Sequence, residues 1–314
     1  MKRVDAAAAA FVMNSISHRP YQGEADLVAM KRILSELLGA GLGSYHRGDL
    51  DWWLIPEIGG AIGEQTELWF RGEELLAFVI YMEERADYDV IAAPAWRGSA
   101  LERDLMHWAD AHLSAAARRH QQKKVCAYCS ADHPFQRDIL SELGYEEGQD
   151  VILYAQDLPE QALPAVPLPV GFRWLPPMRL EWAAARAAAH ADAFHPSKMT
   201  PAAYRRLLRS APDYDEALDV VAVAPDGQHA AFALAWVDEA IGIGLFEPVG
   251  TRRAFQRRGL GHAVLREGLR RLQARGMRRV MVGCEADNEG NQAFYEGAGF
   301  REQTRILAYR RAVT

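Results

Sequence analysis

Apolar runs and amphipathic stretches alternate regularly in the second half of the chain. The apolar run Ile241–Val249 predicts a strand, and Leu260–Arg275 has the spacing of an amphipathic helix. A second apolar run, Arg279–Cys284, predicts another strand. A further helix opens at Asn288 and stops at Gly297–Gly299, where glycines end the pattern. The order strand, helix, strand, helix is typical of a protein that mixes helices with a sheet.

The segment that joins the first of these strands to its helix is QRRGLG, residues 256–261. Its glycines have no Cβ, so a ligand can approach the backbone, and the first N–H groups of a helix lack intrahelical partners. Gln256, Arg257 and Arg258 add donors and positive charge, and Arg252 and Arg253 lie just before them. These properties suit a ligand that carries phosphates.

The last predicted helix carries the pattern NxxNxxFYExxGF over residues 288–300. The order of these elements closely resembles the GNAT superfamily of N-acetyltransferases: a strand, QxxGxG, a helix, a second strand and then this pattern. The resemblance covers about residues Leu245 to Tyr309. It implies an α/β (α+β) fold, a mixed and mostly antiparallel sheet with a central splayed pair of parallel strands flanked by helices. It also implies acetyl-CoA as the acyl-donor co-substrate.

The same resemblance implies which residues hold acetyl-CoA. Val249 and Thr251 are expected to pair with the pantetheine arm, and the backbone of Arg257–His262 to cradle the pyrophosphate. The full implied donor site is Val249, Thr251, Gln256, Arg257, Arg258, Gly259, Leu260, Gly261, His262, Asn288, Asn291 and Phe294. Tyr295 matches the family tyrosine near the thioester sulfur, which implies the general acid; core packing is the alternative.

Glu247 is the best candidate for the general base. It interrupts the apolar strand GIGLFEPVG, where a carboxylate is costly unless it has a task or a partner. Some GNAT enzymes use a glutamate on this strand, directly or through water. An outward-facing or salt-bridged glutamate is the alternative. A backbone N–H near Val249 would bind the oxyanion, and direct attack in a ternary complex needs no cysteine, so Cys284 is expected in the core.

The first half of the chain repeats the second without its functional residues. Aligning Gly144 with Gly299 places VCAYCSADH (125–133) on VMVGCEADN (280–288), and VILY (151–154) on ILAY (306–309), without a gap. Four positions of the donor site change: Ala95 replaces Gln256, His133 and Gln136 replace Asn288 and Asn291, and Leu140 replaces Tyr295. Leucine can donate no proton. We therefore expect two tandem GNAT-like domains, with catalysis in the second and a structural role for the first.

These observations divide the chain into four parts. Residues 1–14 are expected to be a disordered arm rather than a signal peptide, and the true start is Met1 or Met13. A GNAT-like domain with degenerate motifs would span 15–156, and a GNAT domain with intact motifs 171–314. Between them, 157–170 carries four prolines and is expected to be an extended linker.

Composition narrows the class of protein. The chain has 314 residues, a formal net charge of −6 and an acidic first half, which argues against nucleic acid as a partner. No apolar run approaches a membrane span. Three cysteines cannot form a disulfide framework, and Cys126 and Cys129 lie three apart in a strand, so they face opposite sides. We expect a cytoplasmic enzyme, monomeric or homodimeric, without a metal.

The acceptor is the least defined part of the prediction. A primary amine of a small molecule or peptide fits the family chemistry, and the acidic first half would favour a cationic acceptor. The segment HADAFHPS, residues 190–197, invites a metal interpretation, but its two histidines do not share a helix face. Candidate acceptor-site residues are His190, Phe194, His195 and Tyr204. The tandem architecture also resembles that of mycothiol synthase; the alternative function is a non-catalytic acyl-CoA-binding or sensing scaffold.

Overall fold

The computed structural model describes residues 16–56, 63 and 65–313. The expected N-terminal arm, 1–14, lies outside these residues. The strands are β1 (Ile16–Pro20), β2 (Thr66–Arg71), β3 (Glu74–Met82), β4 (Asp87–Ala92), β5 (Lys124–Ser130), β6 (Glu146–Asp157), β7 (Arg173–Trp174), β8 (Asp219–Val223), β9 (His229–Asp238), β10 (Ile243–Thr251), β11 (Arg279–Glu285) and β12 (Arg301–Ala312). The α-helices are α1 (Glu24–Gly39), α2 (Arg47–Trp53), α3 (Ala100–Arg119), α4 (Pro134–Glu142), α5 (Ala183–Ala193), α6 (Pro201–Ser210), α7 (Leu260–Ala274) and α8 (Glu289–Gly297). Within this part of the chain, no helix combines the length and hydropathy needed to cross a membrane.

The chain forms two compact units, and neither is continuous in sequence. Among the described residues, unit 1 contains 16–45, 63, 65–150 and 305–313. Unit 2 contains 46–56 and 151–304. The second part of β6 pairs with β11 of unit 2, and the second part of β12 pairs with β5 of unit 1. Each half of the sequence therefore completes the sheet of the other.

Because of this exchange of strands, the two units are not simply the parts of the chain before and after the predicted linker. Sequence analysis assigns the strand VILY (151–154) to the first domain and ILAY (306–309) to the second. The two strands have the same apolar pattern, so each can satisfy the hydrogen bonds and the hydrophobic face that the other would supply. Residues 158–172, between β6 and β7, form no helix or strand.

Unit 1 is a mixed sheet in the order β1-β2-β3-β4-β5-β12. All its neighbours are antiparallel except the pair β4 and β5. Side chains of α3, such as Leu105 and Leu113, pack with sheet residues into one buried core. Along β5, burial alternates, with Cys129 buried and Cys126 half-buried, as predicted from their spacing. Both cysteines are free thiols.

Unit 2 is a mixed sheet in the order β6-β11-β10-β9-β8-β7, in which only β10 and β11 are parallel neighbours. The predicted strands and helices of the second half are present as β10, α7, β11 and α8. Helix α7 lies close to the sheet because Gly268 faces Phe246: a Cβ at this glycine would lie 2.4 Å from the ring. The predicted sheet with a central parallel pair is thus confirmed in both units.

A buried ion pair stabilises unit 2 beside this sheet. Arg186, 0 % exposed, donates from Nε to Asp219 Oδ1 at 3.0 Å, and its guanidinium lies 3.6 Å from the centre of the Phe232 ring. The hydroxyls of Tyr204 and Tyr214 both donate to the other oxygen of Asp219. Tyr204 is 0 % exposed, so the expectation that it contacts the acceptor is wrong, because its hydroxyl serves this buried network.

Replacing Asp219 with alanine is expected to lower the free energy of unfolding by about 3–5 kcal/mol, because Arg186 would remain buried without its counter-ion. Urea unfolding measures this change. Glu74→Ala is the matched control, since Glu74 pairs with Arg71 on the surface and such pairs contribute at most about 1 kcal/mol. Equal losses in the two variants would contradict the assignment of a stabilising buried pair.

Candidate active site

The central strands of unit 2 separate in the middle of the sheet. Strand β10 pairs with β11 only from Ile243 to Phe246, whereas β11 continues to Glu285 beside β6. On its other side, the register of β10 with β9 shifts between Phe246 and Val249. This β-bulge contains Glu247 and Pro248, which are joined by a cis peptide bond. A bulge next to a strand end leaves backbone groups available to a ligand.

The predicted phosphate loop follows β10 directly. A short 3₁₀ helix, Arg253–Phe255, leads into Arg257 and Gly259, both of which have left-handed backbone angles, with φ of 60° and 77°. Gly259 is the N-cap of α7 and offers no side-chain acceptor, so the N–H groups of the first turn lack a side-chain cap. A Cβ at Gly259 would meet nothing within 4 Å. The loop is therefore open to a ligand at the positive end of a helix.

A cavity of about 630 Å³ lies between this loop and α8. It is lined by eleven of the predicted residues, namely Val249, Thr251, Gln256, Arg257, Gly259, Leu260, Gly261, His262, Asn291, Phe294 and Tyr295. Sequence analysis missed four further lining residues, Gly250, Phe255, Gly290 and Ala293. Glycine, alanine and phenylalanine occur in many packed surfaces, so the sequence does not mark these residues and only the fold identifies them.

Three predicted residues lie outside the cavity lining. The guanidinium of Arg258 lies over the Phe255 ring at 5.5 Å. Asn288 is the N-cap of α8, and its side-chain oxygen accepts the N–H of Asn291 at 3.0 Å. This bond orients the first turn of α8, which places Asn291 at the cavity. Glu247 occupies the bulge beside the cavity.

Tyr295 lines the cavity and also packs in the hydrophobic core of unit 2. Its side chain is 6 % exposed and packs near the rings of Phe294 and Phe300. Burial raises the pKa of its phenol, and the nearby charge of Glu247 raises it further. The phenol therefore stays protonated at neutral pH and keeps a proton to donate. Burial also raises the pKa of the Cys284 thiol to about 11, so this predicted core cysteine is not a thiolate.

Glu247 has the electrostatics of a base that works near neutral pH. Burial raises the pKa of its carboxyl to about 8, and the negative charge of Asp49 adds to this shift. Burial likewise raises the pKa of Asp49 to about 7, although the backbone N–H of His46 opposes the shift. Acidic groups with pKa values raised by burial and by a neighbouring charge are typical of functional sites.

Asp49 reaches this site because α2 belongs to unit 2. Gly48 packs so closely on Trp236 that a Cβ there would lie 2.4 Å from the Trp236 Cβ. The ring of His46 accepts the N–H of Gly48 at Nδ1 and donates from Nε2 to the carbonyl of Ile243 at 3.1 Å. Burial lowers the pKa of His46 to about 4, which keeps this ring neutral. Sequence analysis missed Asp49, because its helix lies in the half of the chain without intact motifs.

The segment 190–197 contacts the start of the loop through Asp192. Asp192 accepts the backbone N–H of Arg253 at 2.7 Å and pairs with its guanidinium. His190 stacks on Phe194 at 4.7 Å between ring centres and contacts Ser197 through Nδ1. His195 is exposed. Across the described ranges, no group of three or more His, Cys, Asp or Glu is placed to hold a metal ion.

Similarity to known proteins agrees with this geometry. Residues 182–300 match the model of the "Acetyltransferase (GNAT) family". A mycothiol acetyltransferase of Clavibacter michiganensis subsp. michiganensis is 29 % identical over 229 residues, which cover 71 % of this chain and 72 % of that protein.

Two solved structures share the fold. A GCN5-related N-acetyltransferase from Sphaerobacter thermophilus has a TM-score of 0.66 at 22 % identity and covers 96 % of both chains. A tandem GNAT protein from the clavulanic acid biosynthesis pathway has the same TM-score at 15 % identity, over 95 % of this chain and 99 % of that one. The chain thus contains an acetyltransferase domain of the GNAT family over residues 182–300, and as a whole it shares the fold of a tandem GNAT protein.

Proposed function

We propose that unit 2 transfers the acetyl group of acetyl-CoA to a primary amine by direct attack. The observation that carries this proposal is the cavity itself, which is lined by the phosphate loop, by Val249 and Thr251 after the β10 bulge, and by Tyr295. The left-handed loop and the first turn of α7 supply N–H donors for the diphosphate. Val249 and Thr251 follow the bulge, where backbone groups are available to the pantetheine amides.

The chemistry needs one proton acceptor and one proton donor. The amine nitrogen attacks the thioester carbonyl, a C–N bond forms, and the C–S bond breaks. Glu247, as its carboxylate, takes one proton from the bound ammonium and passes it to solvent, so that the neutral amine attacks. Glu247 then takes the second N–H proton from the tetrahedral intermediate. Tyr295 gives its proton to the departing thiolate and regains one from solvent. Because Glu247 raises the pKa of Tyr295, the two groups lie within electrostatic range of each other.

The acceptor is proposed to bind as a cation beside Glu247 and Asp49. Two carboxyls with pKa values raised to about 8 and about 7 gain from a positive charge between them, since it stabilises both ionised forms. The ring of Phe194, which is 41 % exposed and stacks on His190, is available to the carbon skeleton of a small amine. Desacetylmycothiol, the acceptor that the relatives' name suggests, is one candidate.

The direct experiment is acetyl-CoA turnover against a panel of primary amines that includes desacetylmycothiol, an amino sugar, a polyamine and a peptide N-terminus. Mass spectrometry identifies the acetylated nitrogen, and free CoA measures the rate. Saturable turnover with one class supports the proposal. Acetyl-CoA binding without CoA release across the whole panel would overturn it.

Replacing Tyr295 with phenylalanine is expected to lower kcat by about 10²-fold and leave KM for acetyl-CoA nearly unchanged, because only the proton donor is lost. The decrease should persist at every pH assayed, since the phenol of Tyr295 stays protonated throughout. Tyr154→Phe is the matched control, because it removes a phenol of the same unit that bonds Glu296 and does not line the cavity. A kcat of the wild-type size in Tyr295→Phe would show that the thiolate leaves without this acid.

A further inference from the structure

Unit 1 has a counterpart of the donor cavity, but this counterpart is nearly filled. Strands β4 and β5 pair in parallel only from Asp87 to Asp89, and the loop 97–99 leads into α3, as 256–259 leads into α7. The remaining space measures about 40 Å³, against about 630 Å³ in unit 2. A space of this size holds no more than one or two waters.

A single carboxylate occupies the phosphate end of this space. Glu102, in the first turn of α3, is 0 % exposed. Its Oε2 accepts the backbone N–H of Gly98 at 2.6 Å, and Gly98 has a φ of 70°, as left-handed as Arg257 in the other loop. The anion-binding loop of unit 1 is thus bonded to an anion of its own chain.

The other carboxylate oxygen of Glu102 bonds to the two residues that replace the asparagines of unit 2. Oε1 accepts from Nε2 of His133 at 2.7 Å and from Nε2 of Gln136 at 2.9 Å. These two residues are the counterparts of Asn288 and Asn291 in the internal repeat. Both are buried, and with the loop they give the carboxylate three donors. Charge-assisted hydrogen bonds of this kind are about twice as strong as neutral ones.

The pantetheine end is filled by apolar side chains. Leu34 and Leu37 of α1 and the following Leu42 line the remaining space. Next to them, the hydroxyl of Tyr45 donates to Asp89 Oδ2 at 2.6 Å, where β4 leaves β5. A pantetheine arm would have to displace both the leucines and this hydrogen bond.

We propose that Glu102 is an internal substitute for the diphosphate, which closes unit 1 to CoA and keeps its loop ordered without ligand. The chain then binds one acetyl-CoA, in unit 2. This inference rests on the proposed function only for the location of that one site. A second diphosphate would have to expel a buried carboxylate that is fully hydrogen-bonded, at a cost that the loop's few donors cannot offset.

Calorimetric titration of the whole chain with acetyl-CoA tests the stoichiometry. One equivalent is expected for the wild type and none for Gly259→Asp, which blocks the loop of unit 2. Two equivalents in the wild type, or one retained in Gly259→Asp, would overturn the proposal. One equivalent without acetylation of any amine would leave this inference standing and refute the proposed function instead.

Anion rescue tests the role of Glu102 itself. Glu102→Ala leaves the N–H of Gly98 and Nε2 of His133 without their acceptor, and Gln136 keeps only the carbonyl of Val90, so the Tm is expected to fall by several degrees. Sodium formate fits the space of the lost carboxylate and should restore part of the loss, more than sodium chloride of equal ionic strength. Glu142→Ala, which removes an exposed partner of Arg103, should show neither effect.

A wild-type Tm in Glu102→Ala, or a recovery no greater with formate than with chloride, would overturn the internal-anion role. Where Glu102→Ala does not fold, Glu102→Gln serves instead. This variant keeps the length of the side chain but places an amide N–H₂ opposite hydrogen-bond donors. A lower Tm is again expected, and an unchanged Tm would contradict the proposal.

Discussion

Replacing Glu247 with glutamine is expected to lower kcat for acetyl transfer by about 10²–10³-fold, because the amide cannot accept a proton from the attacking amine. The side chain keeps its size at the bulge, so the fold and the KM for acetyl-CoA should change little. Steady-state rates with the best amine of the panel measure the effect. Glu285→Gln, a carboxylate at the exposed end of β11, is the matched control and should keep its activity.

The pH profile separates a base from a merely structural glutamate. The pKa of Glu247 is raised to about 8, so its basic form is lost as pH falls through that value. The wild-type kcat/KM should therefore rise with pH toward a plateau above about 8. Glu247→Gln should lose this dependence and keep only the titration of the amine substrate, which all variants share.

Asp49→Asn tests the assignment of Glu247 as the base by changing its pKa. Removing the negative charge of Asp49 removes one cause of the raised pKa of Glu247, so this pKa should fall. The acid limb of kcat/KM should then move to lower pH, while KM for a cationic amine rises. An unmoved limb in Asp49→Asn, or full activity in Glu247→Gln, would show that another group accepts the proton.

Replacing Gly259 with aspartate is expected to abolish acetyl-CoA binding, with KM raised at least about 10²-fold. The new carboxylate would project into the open loop and repel the diphosphate that we propose binds at the start of α7. Titration and kinetics both measure the loss. Aspartate is a favourable N-cap, so the helix itself should persist.

Gly276→Asp controls for backbone strain. Gly276 has a φ of 81°, close to the 77° of Gly259, and a Cβ there also meets nothing within 4 Å. Both variants should lose about 1 kcal/mol of stability from the left-handed backbone. Only Gly259→Asp should lose acetyl-CoA. Equal affinities in the two variants would mean that this loop does not hold the diphosphate.

The residues that line the cavity could be predicted because their sequence signals are local. A glycine loop, a helix start and a following Asn-capped helix lie within about fifty residues, and each element has its own sequence signature. The structure brings eleven of the predicted residues to one cavity for this reason. Asn288 is the instructive exception, since its oxygen caps α8 and acts on the site through Asn291.

The acceptor side could not be predicted in the same way. Tyr204 has the type and the sequence position of an acceptor-site residue, yet its hydroxyl is bonded to Asp219 in the core. Asp49 lies almost two hundred residues from Glu247, in the half of the chain with degenerate motifs, and its side-chain type is unremarkable on a short helix. Only the packing of Gly48 against Trp236 places it beside the bulge.

By itself, the sequence determined the GNAT fold, the internal repeat and the glycine loop before α7, because backbone angles and capping depend on neighbouring residues. Tertiary structure alone decided which strand completes which unit, since the two C-terminal strands carry the same apolar pattern. It also decided the charge states of Glu247 and Asp49, because desolvation depends on what packs around a carboxyl. The closure of unit 1 by Glu102 belongs to the same class: a glutamate in the first turn of a helix is ordinary in sequence, and only its burial against Gly98, His133 and Gln136 makes it a ligand.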